Sequence, residues 1–130
     1  MVAADTWKFL GLTVVAGYAT LGTWALVAPR NAAEMLFAPR PSSAESLHAG
    51  DTERYMRLLG ARDLSMAIAM AWYARSNDWR AMGQMILAGM LICAADAWAA
   101  WQAKGPALGL VLAGGSTWWG VIGYALVNWI

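Results

Sequence analysis

The sequence predicts an all-α integral membrane protein, an up-down four-helix bundle forming a single domain over residues 1–130. Three observations carry that expectation. Hydrophobic residues make up 60% of the chain and charged residues 13%, against roughly 45–50% and about 25% in soluble domains. The apolar residues fall into four blocks, each near the roughly 20 residues a helix needs to cross a hydrocarbon core. Tryptophan occurs nine times and gathers at the block edges, as expected at membrane–water interfaces.

The blocks run over residues 7–28, 55–74, 82–102 and 106–130. Trp7 and Trp24 flank the first, and Pro29 closes it. Asp5 precedes Lys8 with no basic run ahead of the apolar stretch, so the block reads as a retained span and not a cleaved signal. The connection 29–54 is the one long one. In it Asn31 is expected to cap a short amphipathic helix lying in the interface, with Ala32, Met35, Leu36 and Phe37 on one side. Pro39 and Pro41 should end that helix, and residues 42–50 should form an exposed loop. Ser76-Asn77-Asp78 and Lys104-Gly105-Pro106 read as tight turns, with proline at a helix start where its missing N–H is harmless. Short turns join antiparallel neighbours, so spans two, three and four are expected to pack side by side. The frequent glycines (Gly11, Gly17 and Gly22 in the first span, Gly109 to Gly123 in the fourth) read as close helix packing.

Several functions are excluded or disfavoured by composition. A formal net charge of +1 offers no field for nucleic acid. Cys93 is the one cysteine and His48 the one histidine, so neither an internal disulfide nor a metal ligand set is expected. Cys93 reads as a small buried hydrophobe and His48 as solvated. No phosphate loop or nucleophile elbow is visible, and no cofactor is expected. The expected partners are the bilayer and a lipophilic small molecule, with a homo-oligomer left open.

Chemistry is expected at Arg62, Asp63 and Asp96, the ionisable residues well inside predicted spans. Each costs roughly 2.5–3.5 kcal/mol at a span centre, so each should face the bundle interior or a watery cavity and be paired. The turn at Ser76 reverses the chain, so span two begins and span three ends on one side. At about 1.5 Å per residue, Asp63 and Asp96 then lie roughly 9–12 Å from that same surface. An Arg62–Asp96 pair is the natural solution. Arg62 and Asp63 point about 100° apart and are not expected to pair, which leaves Asp63 to another donor or to a cavity. Tyr18, Thr20, Thr23, Ser116, Thr117 and Trp118 fall near that depth, with Glu53 and Arg57 spaced as a pair at the mouth. The expected substrate pocket is formed by Tyr18, Thr23, Arg57, Met66, Trp98, Thr117 and Trp118, with Met70 in its wall. The competing reading is a structural ion pair that fixes helix register.

Gly60-Ala61-Arg62-Asp63-Leu64, the apolar run after it, and Asp96 in the next span resemble a family of small four-span membrane proteins of unknown function found in fungi and bacteria. In layout that family is broadly similar to DoxX-like proteins, and the resemblance covers nearly the whole chain. Its fungal members look like accessory enzymes or accessory proteins of secondary-metabolite gene clusters, with small membrane cyclases and anthrone oxidases as a functional analogy. The resemblance implies a multi-pass protein, in an endomembrane such as the endoplasmic reticulum if the source is fungal. It carries over to Gly60, Arg62, Asp63 and Asp96 alone.

Three functions compete on these grounds. The first is a cofactor-free isomerase, cyclase or dehydratase acting on a lipophilic polyketide or terpenoid, with Asp63 as acid or base and Arg62 holding Asp96 or stabilising negative charge. The second is a non-catalytic scaffold that seats other enzymes through the Met35–Phe37 stretch. The third is a transporter, disfavoured by four spans without an inverted repeat. Lys8, Arg75 and Arg80 on one side, against Arg30, Arg40, Arg54, Arg57 and Lys104 on the other, favour both termini outside the cytoplasm.

Overall fold

A computed structural model describes residues 3–37 and 49–130. Its elements are five α-helices: α1 (Ala4–Val27), α2 (Pro29–Leu36), α3 (Ala49–Arg75), α4 (Trp79–Lys104) and α5 (Pro106–Asn128). The breaks fall where backbone chemistry puts them. Pro29 and Pro106 open α2 and α5, and Asp78 caps α4 by accepting the Ala81 N–H at 3.0 Å. Asn77 and Gly105 adopt positive φ (59° and 94°), the conformation that Asn and Gly tolerate best in a turn.

Three helices, α1, α4 and α5, are long and apolar enough to cross a membrane. The second expected span, residues 55–74, does not qualify by composition. Helix α3 has 27 residues but carries Asp51, Glu53, Arg54 and Arg57 in its first half, then Arg62 and Asp63. It also starts earlier than expected, so Gly50 is helical and not part of a loop. Asp51 in the first turn complements the positive end of the helix dipole.

Helix α2 exists as expected, but its details differ. Asn31 does not cap it, because Pro29 has already begun the helix; the Asn31 carboxamide oxygen instead accepts the Trp24 indole N–H at 3.2 Å. Its buried side is Pro29, Ala32 and Ala33, while Met35 is 62% exposed. Pro39, Pro41 and His48 lie outside the described residues.

The helices pair tightly in two couples. In the first, a methyl group on Gly22 would come within 2.8 Å of the Gly60 carbonyl oxygen, and one on Gly60 equally near the Gly22 oxygen. In the second, a methyl group on Gly83 would meet the Gly123 carbonyl oxygen at 2.7 Å. So α1 lies backbone to backbone on α3, and α4 on α5. The expectation that α3 and α4 pack closely because a short turn joins them is not met. Their contact is slight, and each is matched to a different partner. The couples meet over a core of Val14, Tyr18, Met70, Met82, Ile86, Ile122 and Leu126. Trp7 packs at a tilt against Trp129 with centroids 5.3 Å apart, and Trp119 likewise against Tyr18 at 4.9 Å, tying α1 to the end and middle of α5. A smaller cluster of Ala25, Ala32, Ala33 and Met56 seats α2 on α1 and α3.

Candidate functional site

The seam between the couples, where α3 faces α4, holds the polar chemistry. Arg62 reaches across it. Its Nη2 donates to Asp96 Oδ2 at 2.8 Å and its Nη1 to Asp96 Oδ1 at 3.4 Å, a forked approach that suits guanidinium to carboxylate. The Arg62–Asp96 pair expected from depth alone is therefore present.

The expectation for Asp63 is not met. Arg62 Nε donates to Asp63 Oδ1 at 2.9 Å, and Nη2 lies 2.8 Å from the same oxygen. Adjacent Cα–Cβ bonds do diverge by about 100°, but the arginine stem is long enough to curl back, so its edge grips Asp63 while its tip grips Asp96. One guanidinium thus holds two carboxylates. They are not equivalent: the Asp63 side chain is 13% exposed and that of Asp96 is 32% exposed.

A groove of about 750 Å³ opens beside this trio between α2, α3 and α4. Its walls are apolar, built from residues such as Phe37, Met56, Leu59, Ala95 and Ala99, with Tyr55, Thr52 and Gln102 toward the rim. Asp96 is the one carboxylate in its wall among the described residues; neither Arg62 nor Asp63 lines it. At its α2 side, Arg30 Nε donates to Glu53 Oε1, which anchors α2 to the start of α3. Glu53 is therefore engaged by Arg30 and not by Arg57, as its spacing had suggested.

The predicted pocket residues divide. Tyr18 and Met66 lie with the trio's neighbourhood: Tyr18 Oη is 3.2 Å from Cys93 Sγ, and both it and Met66 Cε crowd Gly89, where a methyl group would come within 3.0 and 3.1 Å. Trp98 and Thr117 instead line a separate cleft of about 320 Å³ between α4 and α5, with Cys93, Trp101 and Ser116. Thr117 donates to the Ala113 carbonyl within its own helix. Thr23, Arg57 and Trp118 face outward and line neither space. The single pocket expected from depth is therefore two spaces on opposite faces of α4, because equal depth says nothing about which face a residue occupies. Of the residues missed, Phe37, Met56, Leu59 and Ala99 carry no polar signal, and Thr52, Tyr55 and Gln102 lie nearer the surface than the depth used to choose pocket residues. Their mark was only proximity in helical register to Asp96 and to the foot of α3. Among the described residues no group of His, Cys, Asp and Glu is placed to hold a metal ion.

Comparison with known proteins adds one assignment. A family model described as a domain of unknown function, DUF4267, matches residues 15–129. The chain belongs to the DUF4267 family. No curated protein and no solved structure matches it. The matched region of this DUF4267 chain contains the whole trio, the groove and both glycine crossings.

Proposed function

We propose that this DUF4267 chain is a membrane-embedded, cofactor-free enzyme that moves a proton on a lipophilic metabolite, with α3 crossing the bilayer beside α1, α4 and α5 as the fourth span of an up-down bundle. One observation carries the reading: a carboxylate, Asp96, is set in the wall of a roomy apolar groove and held from behind by Arg62. Apolar clefts with few, convergent polar groups are the usual form of a small-molecule site. The acid/base role falls to Asp96 and not to Asp63, since Asp63 is outside the groove and more enclosed. Each Asp96 oxygen keeps a lone pair beyond its bond to Arg62, enough to accept a proton from one substrate atom and return it to another. Such an isomerisation or cyclisation leaves substrate composition unchanged and needs no further reagent. Arg62 fixes the carboxylate's position, and the apolar wall excludes water.

The experiment is deletion of the gene in its host, metabolite profiling, and complementation with Asp96→Asn and Asp63→Asn. An accumulated lipophilic intermediate that the parent gene and Asp63→Asn clear, and Asp96→Asn does not, supports the reading. Full clearance by Asp96→Asn overturns the acid/base role.

A second reading is a non-catalytic accessory protein of a biosynthetic pathway. The observation that favours it is the completeness of the Arg62 pairing, which joins the two helix couples whether or not anything binds. In that case both Asp variants complement, while replacement of exposed Met35 on α2 does not.

A further inference from the structure

The trio does not balance. One guanidinium faces two carboxylates, Asp63 and Asp96, which with both ionised leaves one excess negative charge at the seam. Among the described residues no other cation forms an ion pair with Asp63 or Asp96. Helix α5 contains no Asp, Glu, Lys or Arg, and α1 has only Asp5 and Lys8, at its far end and close enough to pair. On α2, Arg30 is engaged by Glu53, and Glu34 is exposed. On α3, Arg57 is exposed and outside the groove; on α4, Lys104 is exposed and two turns beyond Asp96. An unbalanced charge in a weakly polar setting is costly, and a bound counter-charge relieves it.

We infer that the groove between α2, α3 and α4 takes a lipophilic molecule carrying a protonated amine, its ammonium on Asp96 and its apolar body along Phe37, Met56, Leu59 and Ala99. This deepens the proposed function and rests on its placement of the ligand in this groove. The groove is shaped for such an amphiphile: apolar along its length, with the carboxylate in one wall and a polar rim of Thr52, Tyr55 and Gln102.

The test uses the full chain in nanodiscs of zwitterionic phosphatidylcholine, with empty discs as the blank. Radiolabelled dodecylamine, dodecanol and dodecanoate are the probes. Dodecylamine should bind at least tenfold more tightly than dodecanol, and dodecanoate more weakly than either. Asp96→Asn should bring the amine to the level of the alcohol, with dodecanol binding unchanged. Asp63→Asn, which neutralises the trio without touching the groove wall, should weaken the amine as well and serves if Asp96→Asn does not fold. Ala99→Phe, which fills the groove without altering charge, should weaken amine and alcohol together. Equal binding of amine and alcohol by the parent chain, or an amine preference that survives both Asp variants, overturns the charge assignment and leaves the groove as a ligand site. Absence of any protein-dependent binding, or indifference to Ala99→Phe, overturns the groove itself and with it the proposed function.

Discussion

Arg62 determines most of what the seam can do. Removing it strands two carboxylates that share it as their partner. Arg62→Met should cost about 1–3 kcal/mol, below the range for a fully buried ion pair because all three side chains keep some exposure, read as a lower unfolding midpoint in detergent. Adding Asp63→Asn and Asp96→Asn to that variant should recover most of the loss, since the expense lies in the unpaired charge. Arg62→Lys should fall between, because an ammonium cannot present an edge to Asp63 and a tip to Asp96 at once. The Arg62–Asp96 pair was legible in the sequence because helix rise and a short turn convert residue numbers into depth. The Arg62–Asp63 contact was not, because Cβ directions ignore how far a long stem can bend. Nor was the Tyr18–Cys93 contact at 3.2 Å, which depends on α1 meeting α4 at the level of Gly89.

At the scale of the helices, two glycine crossings fix the couples. A methyl group on Gly60 would meet the Gly22 carbonyl oxygen at 2.8 Å, and backbone cannot step aside as a side chain can. Gly60→Ala should therefore destabilise the chain by about 1–3 kcal/mol, the usual cost of overpacking. Gly114→Ala and Gly115→Ala make the control, since nothing lies within 4 Å of a methyl group at either position. They should be neutral or raise thermal stability slightly through helix propensity, by up to about 1 kcal/mol each. Composition marked Gly22, Gly114 and Gly115 equally as packing residues and left Gly60 to a motif. Only the pairing of α1 with α3 and of α4 with α5 separates those that touch from those that do not. The helices themselves were legible to within a few residues, apart from the start of α3, where apolar content was the wrong guide. Its first turns are charged and helical together, a combination that a search for membrane spans discards.

The described helices form two couples joined by a shared apolar core, aromatic contacts and one ionic seam. Trp119, seated over Gly17 and against Tyr18, is the main apolar tie between α1 and α5 at mid-length. Trp119→Ala should cost about 3 kcal/mol, measurable by thermal unfolding, because the flat surface at Gly17 has nothing else to fill it. The proposed four-span arrangement makes a separate prediction. Reporters fused to the two termini should give the same sign of signal, with both expected outside the cytoplasm from the positive-charge bias. Opposite signs would mean that α3 stays at the interface and the chain crosses three times.

The unequal hydrophobicity of the helices also bears on how the protein is made. Helix α1 leaves the ribosome fit for lipid without help, whereas α3 emerges with Arg62 exposed and its cross-seam partner, Asp96, still 34 residues away. During that interval the bare backbone at Gly22 is the surface ready to receive α3. Synthesis of α4 then supplies Asp96, so the charge pairing forms only after four of the five helices have been made, with α5 still to follow.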